Sequence, residues 1–400
     1  GYRSAGEIIA GISGLNELTT YHYRFLAVNG HGSSWSGVKS FTTPKDMSGW
    51  TRKMNVSFTG YGYQKTESLS SIPMLIILNN SISNFSYPDF ASSQGYDLRF
   101  TDESQSQELN YEIEKWDVSG NSYVWVQVPL LSGVGTRIYA YWGNTNAVAQ
   151  PAYCTNGATW SEGYRGVWHL NETSGVVRDS TSNGNNSVSI DGNVNQDASG
   201  MIAGADGFDG WNDWIKFNDS ASLDGNMAAL TLEAWALDTT NDLTNGRAIV
   251  SKRRGVDVDQ CYSLFSFTGH KLYLDISDNR DMTTNALPSD NAWHYVAGIF
   301  DSSVSTGKSL YVDGKLSGTG IDTNVMVPDN SSYFCIGILN ANYGNGWKGS
   351  IDEVRVSGVA RSPTWLWACY MNAASNSAFQ TYSGVAVNSG SDQDSMPDTW

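Results

Sequence analysis

NAWHYVAGIFD (residues 291–301), SLYVDGKLSG (309–318), YFCIGIL (333–339) and NGWKGSIDEVRV (345–356) are four short runs rich in aromatic and β-branched residues. Turn residues separate them, and none carries a helical period, so each is expected as a strand. Asp313-Gly314 stands between Leu310-Tyr311-Val312 and Lys315-Leu316, the signature of a tight hairpin. Successive antiparallel strands of this kind predict a β-sandwich.

The same reading extends outward. Leu272, Leu274 and Ile276 alternate with Tyr273 and Asp275, as a sheet with one buried face requires. Val124, Val126 and Val128 alternate with Tyr123, Trp125 and Gln127, and Tyr21, Tyr23 and Phe25 share one face. The expected fold class is all-β, a series of β-sandwiches. At 400 residues the chain is too long for one sandwich and fits two to four domains.

Charged residues make up 16%, well below the usual quarter, so Ser, Thr, Asn and Gly must cover the surface. Lys and Arg number 24 against 40 Asp and Glu, a net charge of −16, which disfavours nucleic acid and anionic membranes as partners. Neutral glycans and divalent cations suit such a surface better. No apolar run approaches the roughly 20 residues of a membrane span. The longest, Ile72 to Leu78, contains Pro73.

Taken together, Trp-His-Tyr-Val-Ala (293–297), Leu-Tyr-Val-Asp-Gly (310–314) and Gly-Ser-Ile-Asp-Glu-Val-Arg-Val (349–356) resemble the second half of a LamG-like module of the concanavalin A lectin/glucanase fold. GVWHL (166–170), NETSG (171–175), Val177-Arg178-Asp179-Ser180, FDGWNDWIKF (208–217) and LTLEAWAL (230–237) carry the resemblance through residues 159–372. It implies a concanavalin A-like jelly roll as the largest sandwich.

Residues 46–150, with GWTRKMNVSF, IPMLIILNN, YDLRFTDE, LNYEIEKWD, SYVWVQVPL and RIYAYWGNTN, look like an uncharacterised bacterial domain that recurs directly before LamG-like modules in large surface proteins. Residues 1–45 resemble the C-terminal part of a fibronectin type III domain, with Tyr21 at its tyrosine corner. Half a sandwich cannot bury its core, so the sequence is expected to be cut from a longer polypeptide. Residues 373–400 read as a polar linker, AASNSAFQTYSGVAVNSG, followed by Asp392, Asp394 and Asp398, which resemble the opening of an acidic calcium repeat.

The resemblance also implies a structural Ca2+ held by Asp179, Asn183 and Asn185 in one loop, with Asp352 on the last strand and Glu353 as a neighbour. The competing reading is an Asx-rich turn that needs no ion. Sugar contacts need exposed aromatic faces with orienting polar groups. Trp211, Asn212, Asp213 and Trp214 form one such candidate loop, and Tyr343, Asn345 and Trp347 another, although aromatics beside strands are more often core.

Glu108, Glu112, Glu114 and Asp117 read as a solvated strand face with Lys115, and His169 and His294 as packed strand residues. The Glu-x-Asp-x-x-Glu run of concanavalin-type glucanases is absent, as are a nucleophile elbow, a zincin motif and a phosphate-binding glycine loop. No catalytic residue is therefore expected. Four cysteines allow three connectivities. Cys154 with Cys369 and Cys261 with Cys335 are the expected pairs in an oxidising compartment, with free buried thiols as the alternative.

The expected function is non-catalytic binding of a polysaccharide or cell-surface glycan, or adhesion, by a fragment of a secreted or cell-surface bacterial protein. The alternatives are a structural spacer and an accessory module of a secreted glycoside hydrolase.

Overall fold

The computed structural model describes residues 11–62, 65–240, 244–255, 258–288, 290–340 and 344–388. The acidic run Asp392, Asp394 and Asp398 and the aromatic Tyr343 lie outside them.

The predicted sandwich is present. One sheet orders Asn195–Ala198, Ala205–Asp209, Lys348–Ser357, Ala229–Asp238, Trp293–Asp301, Lys308–Val312 and Lys315–Gly320, with Tyr164–Trp168 also on Lys348–Ser357. The other orders Ser187–Asp191, Trp214–Phe217, Phe334–Ile336, Arg247–Gly255, Val258–Phe267, Lys271–Ile276 and Asn279–Ala286. Leu232, Ala234, Val296, Phe300 and Val354 from the first sheet meet Phe217, Leu264, Leu272, Leu274 and Ile336 from the second.

At the quoted hairpin, Asp313 (φ +51°) and Gly314 (φ +69°) are both left-handed, as a two-residue turn matched to strand twist demands. YFCIGIL is not one strand, because it breaks at Gly337 (φ +87°), where a Cβ would run into the Phe208 ring.

Leu230, Leu232, Ala234 and Ala236 point into the sandwich, while Glu233 and Trp235 point the other way, yet all are buried. The outer face of the first sheet is covered by residues 46–150 together with the helix Pro363–Ala374, whose Tyr370 ring stacks on Trp235 at 5.8 Å. There, Leu69–Leu78, Ser122–Leu131 and Tyr111–Lys115 form a three-stranded sheet, and a five-stranded sheet lies behind it. Met74, Val126 and Ile138 belong to one continuous core with Trp235, Tyr295 and Ala297. The sandwiches follow one another along the chain but share a core.

The helix Pro363–Ala374 starts at Ser362, whose hydroxyl accepts the Trp365 amide at 3.1 Å, with Pro363 in the first turn. It lies along the free edge of Leu69–Leu78. Asn372 accepts the Leu75 amide (2.5 Å) and donates to the Leu75 carbonyl (3.1 Å), and Tyr382 accepts the Ile77 amide (2.9 Å). Side chains thus satisfy an edge that would otherwise pair with another strand.

Residues 376–388 are therefore not a linker. Phe379 is wholly buried, and Thr381–Tyr382 and Ala386–Val387 pair with Arg52–Ser57 to complete the five-stranded sheet. The polar composition concealed this, because backbone pairing needs no apolar run and Phe379 is the single large core residue in the segment.

The expected disulfides are absent: all four cysteines are free and buried. Cys154 sits beside Tyr111 and Arg99, and Cys369 beside Glu233, Arg355 and Tyr295. Cys261 donates to the Pro328 carbonyl, whereas Cys335 neighbours Lys216 and Asp191. Burial first of all pushes each thiol up to about 12. Residues 11–45 form two two-stranded ribbons, in which the Tyr21 hydroxyl accepts the Asn16 amide at 2.9 Å.

Candidate functional site

The loop 209–214 is built around Asp213, a buried carboxylate that accepts the Asn193 amide at 2.5 Å and the Asp209 amide at 2.8 Å. Asp209 accepts the Trp211 amide at 2.8 Å, and Arg247 Nη1 donates to the carbonyls of Gly210 (3.2 Å) and Gly346 (3.0 Å). This backbone framework holds Trp211 out, 75% exposed, beside the exposed Asn212. Asp213 is spent on the framework, with one oxygen on each of these amides.

Asn345 lies in the left-handed region (φ +64°) next to Gly346, whose backbone passes against that of Trp211, so the structure brings the two candidate loops together. Trp347, in contrast, is 0% exposed and donates to the Leu237 carbonyl at 3.3 Å; it is core and not a platform. Trp214 is half-buried on the outer face of its strand, with Lys216 beside it and lying 3.5 Å from the centre of the Tyr333 ring.

The expected calcium quartet does not assemble. Asp179 Oδ1 accepts the amides of Val167 (3.1 Å) and Thr181 (2.9 Å), and Oδ2 accepts the Thr181 hydroxyl (2.9 Å) and the Asn185 amide (2.8 Å). Four donors fill the acceptor sites of a carboxylate and leave none for an ion. Asn183 and Asn185 turn their amide nitrogens to the Arg165 carbonyl, at 3.0 and 2.9 Å. Asp352 lies elsewhere, accepting the Ile202 amide at 2.9 Å. The loop is the Asx-rich turn of the alternative reading.

A cluster that strand alternation missed lies where the two sandwiches meet. Glu353 Oε1 is 2.6 Å from His169 Nδ1, and its Oε2 is 2.6 Å from an Arg355 Nη. Glu114 lies 3.6 Å from His169 and accepts Trp125 Nε1 at 2.8 Å; Glu112 accepts Trp160 Nε1 at 2.5 Å. Arg355 lies over Trp125 and Trp160, 4.5 and 5.0 Å from the ring centres. Glu114, expected to be solvated, has a fully buried side chain. Only knowledge of what docks on Tyr111–Lys115 would have shown this, because Glu112 and Glu114 alternate with Tyr111 and Ile113 and so read as the solvent face of the strand.

Ligand atoms of Glu114, His169 and Glu353 lie within 4.8 Å of one another, which could suit a metal. The direct His169–Glu353 contact and the adjacent Arg355 already supply the positive charge, so the trio fits a proton better than a cation. Glu353 is held below the usual carboxylate range: burial alone would raise it, and His169 and Arg355 outweigh burial. For His169 burial lowers the pKa, but Glu353 and Glu114 outweigh it and raise it well above the usual value. Burial, and after it the Glu353 charge, pushes Glu114 up to about 8 and Asp352 well above its usual range.

These directions fix a pH profile. Groups with a raised folded pKa stabilise fully below their unfolded values, about 6.5 for His169 and about 4 for Glu114 and Asp352, and lose that contribution as pH rises through the folded value. Glu353 does the reverse, stabilising above its unfolded value near 4.3 and losing this as pH falls through its depressed one. The urea midpoint should therefore peak near about pH 5 and decline toward pH 8, with up to about 1.4 kcal/mol per pH unit from each group. Glu114→Gln should flatten part of that decline. A flat wild-type midpoint from pH 5 to 8 would refute the assignment.

Residues 208–366 match the family described as the concanavalin A-like lectin/glucanases superfamily, and residues 94–162 match a domain of unknown function. The chain carries a concanavalin A-like module preceded by that domain. No curated protein matches the chain. Among solved structures, it is similar to the binding domain of Paraclostridial Mosquitocidal Protein 1 (14% identity, TM-score 0.41, 52% of each chain covered). It is also similar to the botulinum neurotoxin serotype G binding domain (14%, TM-score 0.40, 53% of this chain and 51% of that one). A third is domain 4 of AbnA, a GH43 extracellular arabinanase from Geobacillus stearothermophilus, in complex with arabinotriose (17%, TM-score 0.38, 51% of this chain and 96% of that one). The chain spans about half the length of the first two. At these scores the likeness carries nothing about what the chain binds.

Proposed function

We propose that the chain is a non-catalytic carbohydrate-binding element of an extracellular bacterial protein, taking a polysaccharide or cell-surface glycan at the Trp211 loop. One observation carries this reading: a tryptophan 75% exposed on a loop whose backbone is pinned by Asp213, Asp209 and Arg247. Exposing so much indole to water is unfavourable, and a rigid mount removes the ordering cost of stacking it on a pyranose ring. Asn212 and Asn345 supply neutral polar groups beside it. The match to the lectin/glucanase superfamily supports the same class of ligand. The fibronectin-like reading of residues 1–45 remains part of this proposal, as an upstream extracellular neighbour.

Trp211→Ala should leave the unfolding midpoint nearly unchanged and weaken glycan retention by about tenfold or more, a loss of roughly 1.4 kcal/mol. Affinity electrophoresis against a panel of soluble polysaccharides measures it. Equal retention by the variant, or no retention of the folded wild type by any glycan, would overturn the assignment. The second result would favour a spacer, a reading that the shared core and its rigid docking also support.

A further inference from the structure

Among the described residues two lysines of the concanavalin A-like module are buried, and they are held differently. Lys252 Nζ donates to Asp219 Oδ1 (2.6 Å) and to the carbonyls of Asn330 (3.3 Å) and Ser332 (2.8 Å), with Asp224 a further neighbour at 3.1 Å. Each of its three protons has an acceptor, as an ammonium requires. Lys308 Nζ makes one hydrogen bond, to the Asn279 carbonyl at 2.5 Å. Its other close neighbours are two carboxylates, Asp281 Oδ2 at 2.6 Å and Asp322 Oδ2 at 3.2 Å. Neither of these oxygens lies in a hydrogen-bonding direction to any donor among the described residues. The side chains of Lys308 and Asp322 are 0% exposed.

The backbone presses these groups together. Lys308 lies in the first sheet, next to its edge strand Lys315–Gly320, and Asp281 lies on Asn279–Ala286, the edge strand of the second sheet. Lys308 pairs with Gly320, and the Asp281 carboxyl fills the space that a Cβ on Gly320 would need. A Cβ on Gly307 would in the same way run into Asp322. Asp322 Oδ1 accepts the amide and the side-chain nitrogen of Asn324, at 2.9 and 2.8 Å, which leaves Oδ2 for Lys308.

We propose that Lys308 and Asp281 become joined by an amide bond, with Asp322 as the proton carrier. The Lys308 ammonium passes one proton to Asp322 Oδ2, and the free amine attacks Asp281 Cγ. The N–C bond forms and a C–O bond of Asp281 breaks. The departing oxygen takes the proton held by Asp322 and a second one from the nitrogen, and leaves as water. Ammonium plus carboxylate gives amide plus water, with no oxidant and no change in net charge. Burial favours the neutral amine and acid over two desolvated charges, and a desolvated lysine is a competent nucleophile. Partners held in contact react with effective molarities of about 10⁵–10⁸ M, which offsets the reluctance of free acids and amines to condense in water. The bond would tie one sheet to the other at their edges, in a module whose cysteines are all free. It is independent of the glycan reading.

Mass spectrometry of the denatured full chain tests this. The wild type should be lighter than its sequence mass by one water. Trypsin should fail to cut after Lys308, and the peptide from Asp281 to Lys315 should carry the missing water, with no fragment ions from bonds between residues 281 and 308. Lys308→Arg should restore the full sequence mass, whereas Lys252→Arg should keep the deficit. Asp322→Asn retains both bonding partners and loses the carrier, so its linked fraction should fall at least tenfold. The tryptic map of the wild type decides the question even if a variant does not fold. A wild type of full sequence mass, ordinary cleavage after Lys308, or a deficit that survives Lys308→Arg would overturn the bond. Complete linkage in Asp322→Asn would overturn the role of Asp322.

Discussion

A chain ending at Ala374 should lose most of the stability of its first sandwich, although every residue from 46 to 150 is intact. The cut removes Phe379, which packs against Phe58, Tyr61 and Trp367 at ring-centre distances of 6.2, 6.4 and 6.0 Å. Emptying a buried phenylalanine site costs about 3–5 kcal/mol by itself. The cut also removes Gln380 and Tyr382 from the Leu75 and Ile77 backbone and strips the pairing from Arg52–Ser57. Urea unfolding followed by tryptophan fluorescence should show the midpoint falling far below that of the full chain. A truncated protein with an unchanged midpoint would show that residues 376–388 merely rest on the sheet.

Replacing Arg355 with Leu should be almost as damaging. The guanidinium is buried, 2.6 Å from Glu353, and covers both Trp125 and Trp160. Its loss leaves Glu353 dependent on His169 alone, and removing one partner of a buried ion pair costs about 3–5 kcal/mol. Arg355→Lys should fall between the two, because it retains the charge but loses the planar group that stacks on the indoles. The double variant Glu353→Gln, Arg355→Leu should recover part of the loss, since the stranded charge goes with its partner. Chemical denaturation measures all three. A cost below about 1 kcal/mol for Arg355→Leu would mean that water reaches the cluster.

Strands and hairpins were legible because their signals are local. WHYVAGIFD gives Trp293–Asp301, and Asp313-Gly314 turns where the sequence says it should. The misreadings share a different cause, which is that each depended on contacts between distant segments. Glu114 looks solvent-facing until a second sandwich docks on its strand, and Trp347 looks like a platform until the Leu237 carbonyl receives its indole. Residues 376–388 look like a linker until they meet Arg52–Ser57 more than 300 positions earlier. Asp179 and its asparagines were recognised as a structured turn, but the sequence could not say whether amides or an ion filled the carboxylate.

The pairing of Arg52 with Val387 has a mechanical consequence. Asn388 reaches back to the carbonyls of Met47 and Trp50, so the polypeptide enters and leaves this body side by side on antiparallel strands. A pull applied through residues 50 and 388 would load those hydrogen bonds one after another, as a zipper is opened, and not together in shear. Everything from Lys53 to Gly384, including the Trp211 loop, hangs beside the line of force. Such a body yields first at its neck, lengthening the chain there while both sandwiches stay folded.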